Sequence, residues 1–286
     1  MRKRFSIYLL LVIIFTLFNF YYRPISKNKL ITKEYRKSSA YINDSYYSDE
    51  MFKKKLLRKD EYEVYEGIIK DISHGKPVSK FECKEDCVNT FYKIYYAIYL
   101  DHPEFIAFLG ASVKTDGNVI DYQYDSMNNI RAALGARRIE REMDIIRRET
   151  KDMDDKEKII YVYDYVASHQ YDRIFTYAGS NQSAYSFFTK GSSVCAGFAK
   201  ASQIIFQNIG IKSYSVIGES HMWNYVEYKG KYYVFDATMG ASLYDKKSPG
   251  FYDGLGQTTV NTTIGLYSEY YPTIETTHLK TIFGLK

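Results

Sequence analysis

Cysteine and tryptophan are scarce in this chain: three cysteines and one tryptophan stand among 286 residues. Cys83 and Cys87 lie four apart, but neither a second cysteine pair nor a His-x-x-x-His follows at metal spacing, which excludes a structural zinc site and points to no metal or other cofactor. Two cysteines four apart on one helix are badly placed for a bridge unless Cys83 precedes the helix, so the pair is open to being a disulfide or two thiols. If bridged, it leaves Cys195 as the unpaired thiol. Charge of one sign is not in large excess either, with 39 Lys and Arg against 34 Asp and Glu and a net charge of +5. That balance fits attraction to an acidic envelope without establishing one. With no clustered basic and aromatic stretch, a reader of nucleic acid is excluded.

Long apolar runs are equally few. The one near the N-terminus, Phe5 to Tyr22, follows the basic Met1-Arg-Lys-Arg4 and is close to the lower limit for spanning a bilayer of about 30 Å. No small-x-small cleavage site and no lipobox cysteine follow it. Residues 1–23 are therefore expected to be an uncleaved single-pass membrane anchor with its basic end in the cytoplasm and everything after Arg23 outside. A cleaved signal peptide, giving a secreted protein, is the alternative. Residues 24–58 are polar, with little apolar periodicity, and read as a stalk with some helix toward its end.

What is abundant is tyrosine, at 31 residues, in a chain that is 45% hydrophobic and long enough for a sizeable core. Helical spacing predicts helices over 61–73, 84–100, 126–150 and 154–170, and alternation predicts strands over 105–113 and 119–124 around the turn 115–118. After residue 240 comes a long loop rich in Gly, Ser, Thr and Asp, a candidate wall of a groove, and then a short strand and tail over 267–286.

The stretch that organises the rest is Gly191 to Gly210. Phe198, Ser202, Ile205 and Ile209 recur at helical steps, Gly191, Ser192 and Ser193 supply turn and N-cap chemistry, and Gly210 suits a left-handed C-cap. Cys195 then falls in the first turn, where free N–H groups and the positive end of the dipole favour the thiolate. Taken alone, a cysteine on an apolar helix face is more often a small core residue.

Two further segments change that balance. Residues 211–218, 221–228 and 231–237 read as strands, with Lys229-Gly230 turning between the last two. A two-residue turn puts Asp236 opposite Trp223 and makes His221 and Asp236 diagonal neighbours on one face, with β-carbons within about 7–8 Å. A thiol, an imidazole and a carboxylate are the parts a cysteine nucleophile needs. Trp223 on that face is expected to pack over the imidazole, and Asn224 points to the other face. His74, His102, His169 and His278 have no carboxylate partner implied by strand pairing and read as structural or exposed.

Val194-Cys195-Ala-Gly-Phe-Ala-Lys-Ala, His221-Met-Trp-Asn-Tyr-Val and Gly230-Lys-Tyr-Tyr-Val-Phe-Asp236-Ala-Thr together resemble the core of the transglutaminase-like (papain-type) superfamily, as found in bacterial surface proteins. Tyr171-Asp172 and Gln182-Ser-Ala-Tyr185 are similar to the segment leading to the family's cysteine. The resemblance is clear from about residue 155 to about 245. It implies an α+β fold, a central Cys-bearing helix packed on an antiparallel sheet behind a mainly helical N-terminal region, with segments 1–23, 24–58, 59–153 and a catalytic core over 154–286. It also implies that Cys195, His221 and Asp236 form a catalytic triad, with the Cys195 amide and a side chain from Gln182 or Tyr185 as oxyanion donors.

The chemistry implied is an exported thiol enzyme that cleaves or transfers amide bonds through an acyl-enzyme, as a cysteine peptidase or a protein-glutamine acyltransferase. Its partners would be a protein or peptide substrate, cell-wall peptide among them, and the membrane through the N-terminal segment. The chain departs from many relatives at Ala196, at Met239 and in the short segment between Gly218 and His221. These departures keep a non-catalytic surface module, holding peptide or wall ligands in the same groove, as the rival reading.

Overall fold

In a computed structural model, the structure describes residues 50–73, 76, 78–80, 86–106, 108–114, 119–124, 129–172, 181–243, 245–258 and 264–286. The expected anchor, most of the expected stalk, Cys83, His74 and the turn at 115–118 lie outside these residues. Among the described residues no helix is long and apolar enough to cross a membrane.

Met51–Leu56 (α1) is helical, and Phe52 is fully buried. The amides of Phe52 and Lys53 donate to the two carboxylate oxygens of Asp101 at 3.1 and 2.8 Å, so a distant side chain satisfies the first-turn donors that a helix cannot pair itself. Residues 51–58, read from sequence as the end of a polar stalk, are thus part of the folded body. Tyr62–Ser73 (α2) and Cys87–Asp101 (α3) follow, with Val78–Lys80 (β1) between them. Phe108–Val113 (β2) and Val119–Tyr124 (β3) pair antiparallel, and β1 adds to β3, in the order β1-β3-β2.

Asn129–Thr150 (α4) leads into Asp155–Ala167 (α5), which starts at a capping box: the Glu157 amide donates to Asp154 Oδ1 at 2.8 Å and the Asp154 amide to Glu157 Oε2 at 2.9 Å. The helix stops earlier than residue 170, because Gln170–Tyr171 (β4) pairs in parallel with Ser192–Ser193 (β5). Between them stands the short helix Ala184–Lys190 (α6), and after them Cys195–Ile209 (α7). Ser213–Ile217 (β6), Met222–Tyr228 (β7) and Lys231–Phe235 (β8) form an antiparallel sheet in sequence order. Thr238–Leu243 (α8) and Leu279–Phe283 (α9) complete the helices.

The last third of the chain is more ordered than its composition suggests. Phe251, Tyr252 and Leu255, in the stretch read as a loop, are core residues, and the expected terminal strand and tail include α9, with Leu279 and Phe283 buried. Apolar side chains spaced three and four apart there were outweighed, in the sequence, by the many Gly, Ser and Thr around them.

The β6-β7-β8 sheet is covered on both faces. Val226, Tyr228, Tyr233 and Phe235 enter one core with α5 and α7, where Phe206 meets Phe235 edge-to-face at 4.9 Å. Tyr214, Val216, Trp223 and Tyr225 enter a second core with α1, α2 and α3, where Phe52 meets Tyr271 at 4.9 Å and Tyr214 at 6.4 Å. Each such ring, once buried, contributes about 1.5–3 kcal/mol of transfer free energy. The residues before 154 and those after it therefore share a core.

Buried amides fasten α7 between these layers. Gln203 Nε2 donates to the Leu100 carbonyl at 2.9 Å, while its Oε1 accepts from the Ser215 amide at 3.1 Å and the Ser215 hydroxyl at 2.6 Å. Asn224, on the face turned to α7, donates to the Ala199 carbonyl at 2.9 Å. Polar groups satisfied in this way specify one docking angle, because any other leaves them dry and unpaired.

Candidate active site

Cys195 is the first residue of α7 and a half-buried free thiol. The helix has Val194 as its N-cap, with no side-chain cap. The serines expected to cap it are used elsewhere: Ser193 Oγ donates to the Asn181 carbonyl at 2.6 Å, and Ser192 and Ser193 make up β5. The Gly197 amide donates to the Val194 carbonyl at 3.0 Å, which leaves the Cys195 and Ala196 amides for the site. A glycine is needed at 197 because a β-carbon there would collide with Ser193 Oγ and the Ser183 carbonyl. That contact seats the first turn against the segment before it.

His221 and Asp236 come from the hairpin. Tyr228 pairs with Lys231 and Asn224 with Phe235, the register that a two-residue turn implies. Lys229 and Gly230 have φ of 52° and 76°, the two left-handed residues of a type I′ turn. His221 sits just before β7, where the Gly218 amide donates to its carbonyl at 2.8 Å across the tight turn at Glu219-Ser220. His221 Nε2 lies 2.8 Å from Asp236 Oδ2, and both residues are buried. The other Asp236 oxygen accepts from the Thr238 amide at 3.1 Å and from the Thr238 hydroxyl. The Asp236 amide itself donates to the Gly254 carbonyl at 2.8 Å, which fixes the backbone where the strand ends.

The electrostatics of the three groups are coupled. Burial pushes the Cys195 thiol up, but the hydrogen bond and charge of His221, with the amides of Met222 and Ala196, bring it below the ordinary thiol value. Burial likewise disfavours the His221 cation, and the Asp236 carboxylate and Cys195 sulfur overcome it, raising the imidazole to about 9. Since Nε2 is taken by Asp236, Nδ1 is the nitrogen left for the sulfur. Both shifts favour an ion pair of thiolate and imidazolium.

Tyr171, which the sequence placed only in the segment leading to the cysteine, also belongs here. The Tyr171 hydroxyl, in β4, lies beside the Cys195 amide and side chain and interacts with both. Burial first, and then the Cys195 charge, push its hydroxyl up to about 12, so it keeps its proton. Its ring lies 5.7 Å from that of Phe198. The signal available was the pair of β-prone residues Gln170-Tyr171 before the loop, but parallel pairing with Ser192-Ser193 is a non-local event that no spacing rule announces.

The other expected site residues fall in different places. Trp223 stacks on His221 with ring centroids 5.9 Å apart and planes 15° from parallel, and its buried Nε1 has no hydrogen-bond partner among the described residues. Gln182 is half-buried, one residue before Ser183, the N-cap of α6. Tyr185 is a core residue whose ring lies so close to Gly135 of α4 that a β-carbon at that glycine could not fit. Packing on α4 thus places Tyr185 in the core rather than in an oxyanion role. Cys87 is disulfide-bonded.

His102 does have a carboxylate partner, supplied by a local turn rather than by strand pairing: its Nδ1 is 2.7 Å from Glu104 Oε1 and its Nε2 is 2.7 Å from the Tyr65 hydroxyl. Burial lowers its pKa to about 3. His169 stacks on Phe187 at 4.1 Å and lines, with Asp164, Gln170, Lys246 and Phe251, a cleft of about 440 Å³. Among the described residues no group of three or more His, Cys, Asp or Glu side chains could hold a metal ion.

Residues 144–237 match the family model of the Transglutaminase-like superfamily. The matched segment contains α5, α6, α7, the β6-β7-β8 sheet and all three of Cys195, His221 and Asp236, so the chain carries a transglutaminase-like domain within an α+β fold. Among solved structures it is similar to one described as "Crystal structure of a TGase", with a TM-score of 0.34 and 16% identity, over 56% of this chain and 49% of that one. The chain thus spans about half the length of that structure. No curated protein matches.

Proposed function

We propose that the protein is a thiol enzyme that cleaves or transfers amide bonds, with Cys195 as nucleophile, His221 as acid and base, and Asp236 as the group that orients and charges the imidazole. The observation that carries this reading is the buried His221–Asp236 pair, 2.8 Å apart, with the imidazole held high and the Cys195 thiol held low by its interaction with that imidazole. Cys195 sulfur attacks the carbonyl carbon of a carboxamide or peptide. His221 gives its proton to the departing amine, and the acyl-enzyme passes to water or to a second amine. The Cys195 amide and the Tyr171 hydroxyl bracket the place where the carbonyl oxygen becomes negative. Tyr171 turns its proton from sulfur to that oxygen, the role expected from sequence of Gln182 or Tyr185.

The enzyme is exported in this reading, held at the cell membrane by residues 1–23 with the domain outside, and Cys83 bridges Cys87, which fits an oxidising compartment. Peptides or wall peptides bearing a carboxamide are the substrates. The test presents the full chain with glutamine peptides plus a fluorescent primary amine, and separately with wall peptides, comparing wild type with Cys195→Ala. Turnover that depends on Cys195 supports the enzyme. Equal binding by both forms and no turnover in either assay would replace it with a non-catalytic surface module.

A further inference from the structure

The end of α5, strand β4 and the segment after α8 border the cleft of about 440 Å³. That volume falls within the range of about 300–1,000 Å³ usual for small-molecule sites. Gln170 lines the cleft, while Tyr171, next in the strand, stands beside the Cys195 thiol. Successive strand residues point to opposite sides, so the cleft and the thiol lie on opposite sides of β4. The cleft has an apolar floor, from the buried Ala167 and Phe251, and polar walls. His169 Nδ1 is 3.0 Å from the Tyr165 carbonyl, so Nδ1 carries the hydrogen and Nε2 keeps its lone pair. Burial lowers the imidazole's pKa, which leaves it neutral near pH 7, and the Phe187 and Tyr165 rings at 4.1 and 5.1 Å hold it in place. Neither Nε2 nor the exposed side-chain amide of Gln170 has a partner among the described residues. Lys246 Nζ pairs with one Asp164 oxygen, and the other accepts from the Tyr252 hydroxyl at 2.9 Å.

These groups select a ligand by exclusion. The charges of Asp164 and Lys246 cancel and His169 is neutral, so the lining favours neither an anion nor a cation. A wholly apolar ligand would cover the His169 lone pair and the Gln170 amide without pairing them. A peptide is held chiefly through its backbone on a strand edge, whereas the free groups here belong to side chains. What fits is a neutral molecule whose hydroxyls both give and accept hydrogen bonds, with one apolar face for the floor. We propose that this cleft binds a neutral sugar, with His169 Nε2 and Asp164 accepting from its hydroxyls and Gln170 and Lys246 donating to them. The site is separate from Cys195 and does not depend on the chemistry assigned to the thiol.

The experiment titrates the full chain, by calorimetry, with the trisaccharides of glucose and of N-acetylglucosamine, and with N-acetyl-triglycine amide as a neutral peptide of similar size. At least one trisaccharide binds with a Kd of about 1 mM or tighter, and the peptide does not. His169→Phe keeps a stacked ring and removes Nε2, which weakens sugar binding about tenfold, and Gln170→Ala, at an exposed side chain, weakens it about threefold. Cys195→Ala binds the sugar as wild type does, so the site stands even where the amide chemistry fails. Loss of binding in Cys195→Ala would place the sugar at the thiol and overturn the proposal. It is overturned equally if neither sugar binds, if the peptide binds and the sugars do not, or if both cleft variants leave the affinity unchanged. Should His169→Phe not fold, an unchanged affinity in Gln170→Ala decides against it alone.

Discussion

The molecule holds two buried histidine–carboxylate pairs, one on the β7-β8 hairpin and one after α3, and they carry opposite charge states. His221 and Asp236 are 2.8 Å apart, and His102 and Glu104 are 2.7 Å apart. His221 is raised to about 9, whereas His102 is lowered to about 3 and Glu104 is pushed well above an ordinary carboxyl by burial. The distance is nearly the same, so distance does not decide the outcome. Burial disfavours the cation in both, and what differs is whether the neighbouring groups overcome it. Asp236 receives two donors from Thr238, which favour its anion, and His221 has a thiol on its other side that can become a second anion. His102 has a tyrosine there and Lys53 nearby, whose charge opposes protonation. One pair is charged and poised for chemistry; the other is neutral and holds the turn after α3 in place.

The comparison can be broken most severely at the sulfur. Cys195→Ala removes the proposed nucleophile and should lower turnover by about 10³-fold or more, read as amine incorporation or peptide release. Next is Asp236→Asn, which keeps the shape and removes the charge. His221 then loses its main support, and turnover should fall by about 10²–10⁴-fold. The pH dependence sharpens the same point. The reactive ion pair needs the thiol deprotonated and the imidazole protonated, so the rate of iodoacetamide labelling should climb below the ordinary thiol range, and turnover should decline as pH rises through about 9. In Asp236→Asn that alkaline decline should move to lower pH, and a profile left in place would show that Asp236 does not set the imidazole.

Thr238→Val should have a smaller effect in the same direction. It deletes the hydroxyl donor to Asp236 and leaves the amide, and a hydrogen bond to a charged group is worth about 1.5–3 kcal/mol, an upper bound of about 10–100-fold on turnover. The smallest change is expected at the neutral pair. Glu104→Gln should leave turnover unchanged. A carboxyl whose folded pKa is raised binds its proton more tightly in the native state, so its stability contribution falls as pH rises above the unfolded value. Gln cannot ionise. The variant should therefore melt at about the same temperature as wild type near pH 4, and at an equal or higher one near pH 8, followed by thermal unfolding. A clear loss at pH 8 would mean that Glu104 is ionised after all.

Much of the candidate site could be read along the chain because its parts are governed by local rules. Helical spacing from Phe198 to Ile209 and the turn residues on either side place Cys195 in a first turn. The parity of a two-residue turn at Lys229-Gly230 places His221 and Asp236 on one face. Other parts had local signals that pointed elsewhere. Ser192 and Ser193 look like cap residues, yet pairing with Gln170 and Tyr171 claims them. Tyr185 looks like a groove residue, yet Gly135, fifty residues earlier, opens a space that its ring fills. Residues 51–58 look solvated, yet Asp101 caps them and the second core receives Phe52.

Residue order alone determined where the cysteine helix begins and how the hairpin registers, and so which thiol, imidazole and carboxylate are brought forward as candidates, since each depends on neighbours within a few residues or across one turn. Three-dimensional packing decided the rest: that α1 and α3 cover the far face of the β6-β7-β8 sheet, that Tyr171 stands beside the thiol, and that one histidine–carboxylate pair is charged while its twin is neutral. Those outcomes depend on which groups meet across long stretches of chain and on how much water is left between them, and neither quantity is a property of any segment by itself.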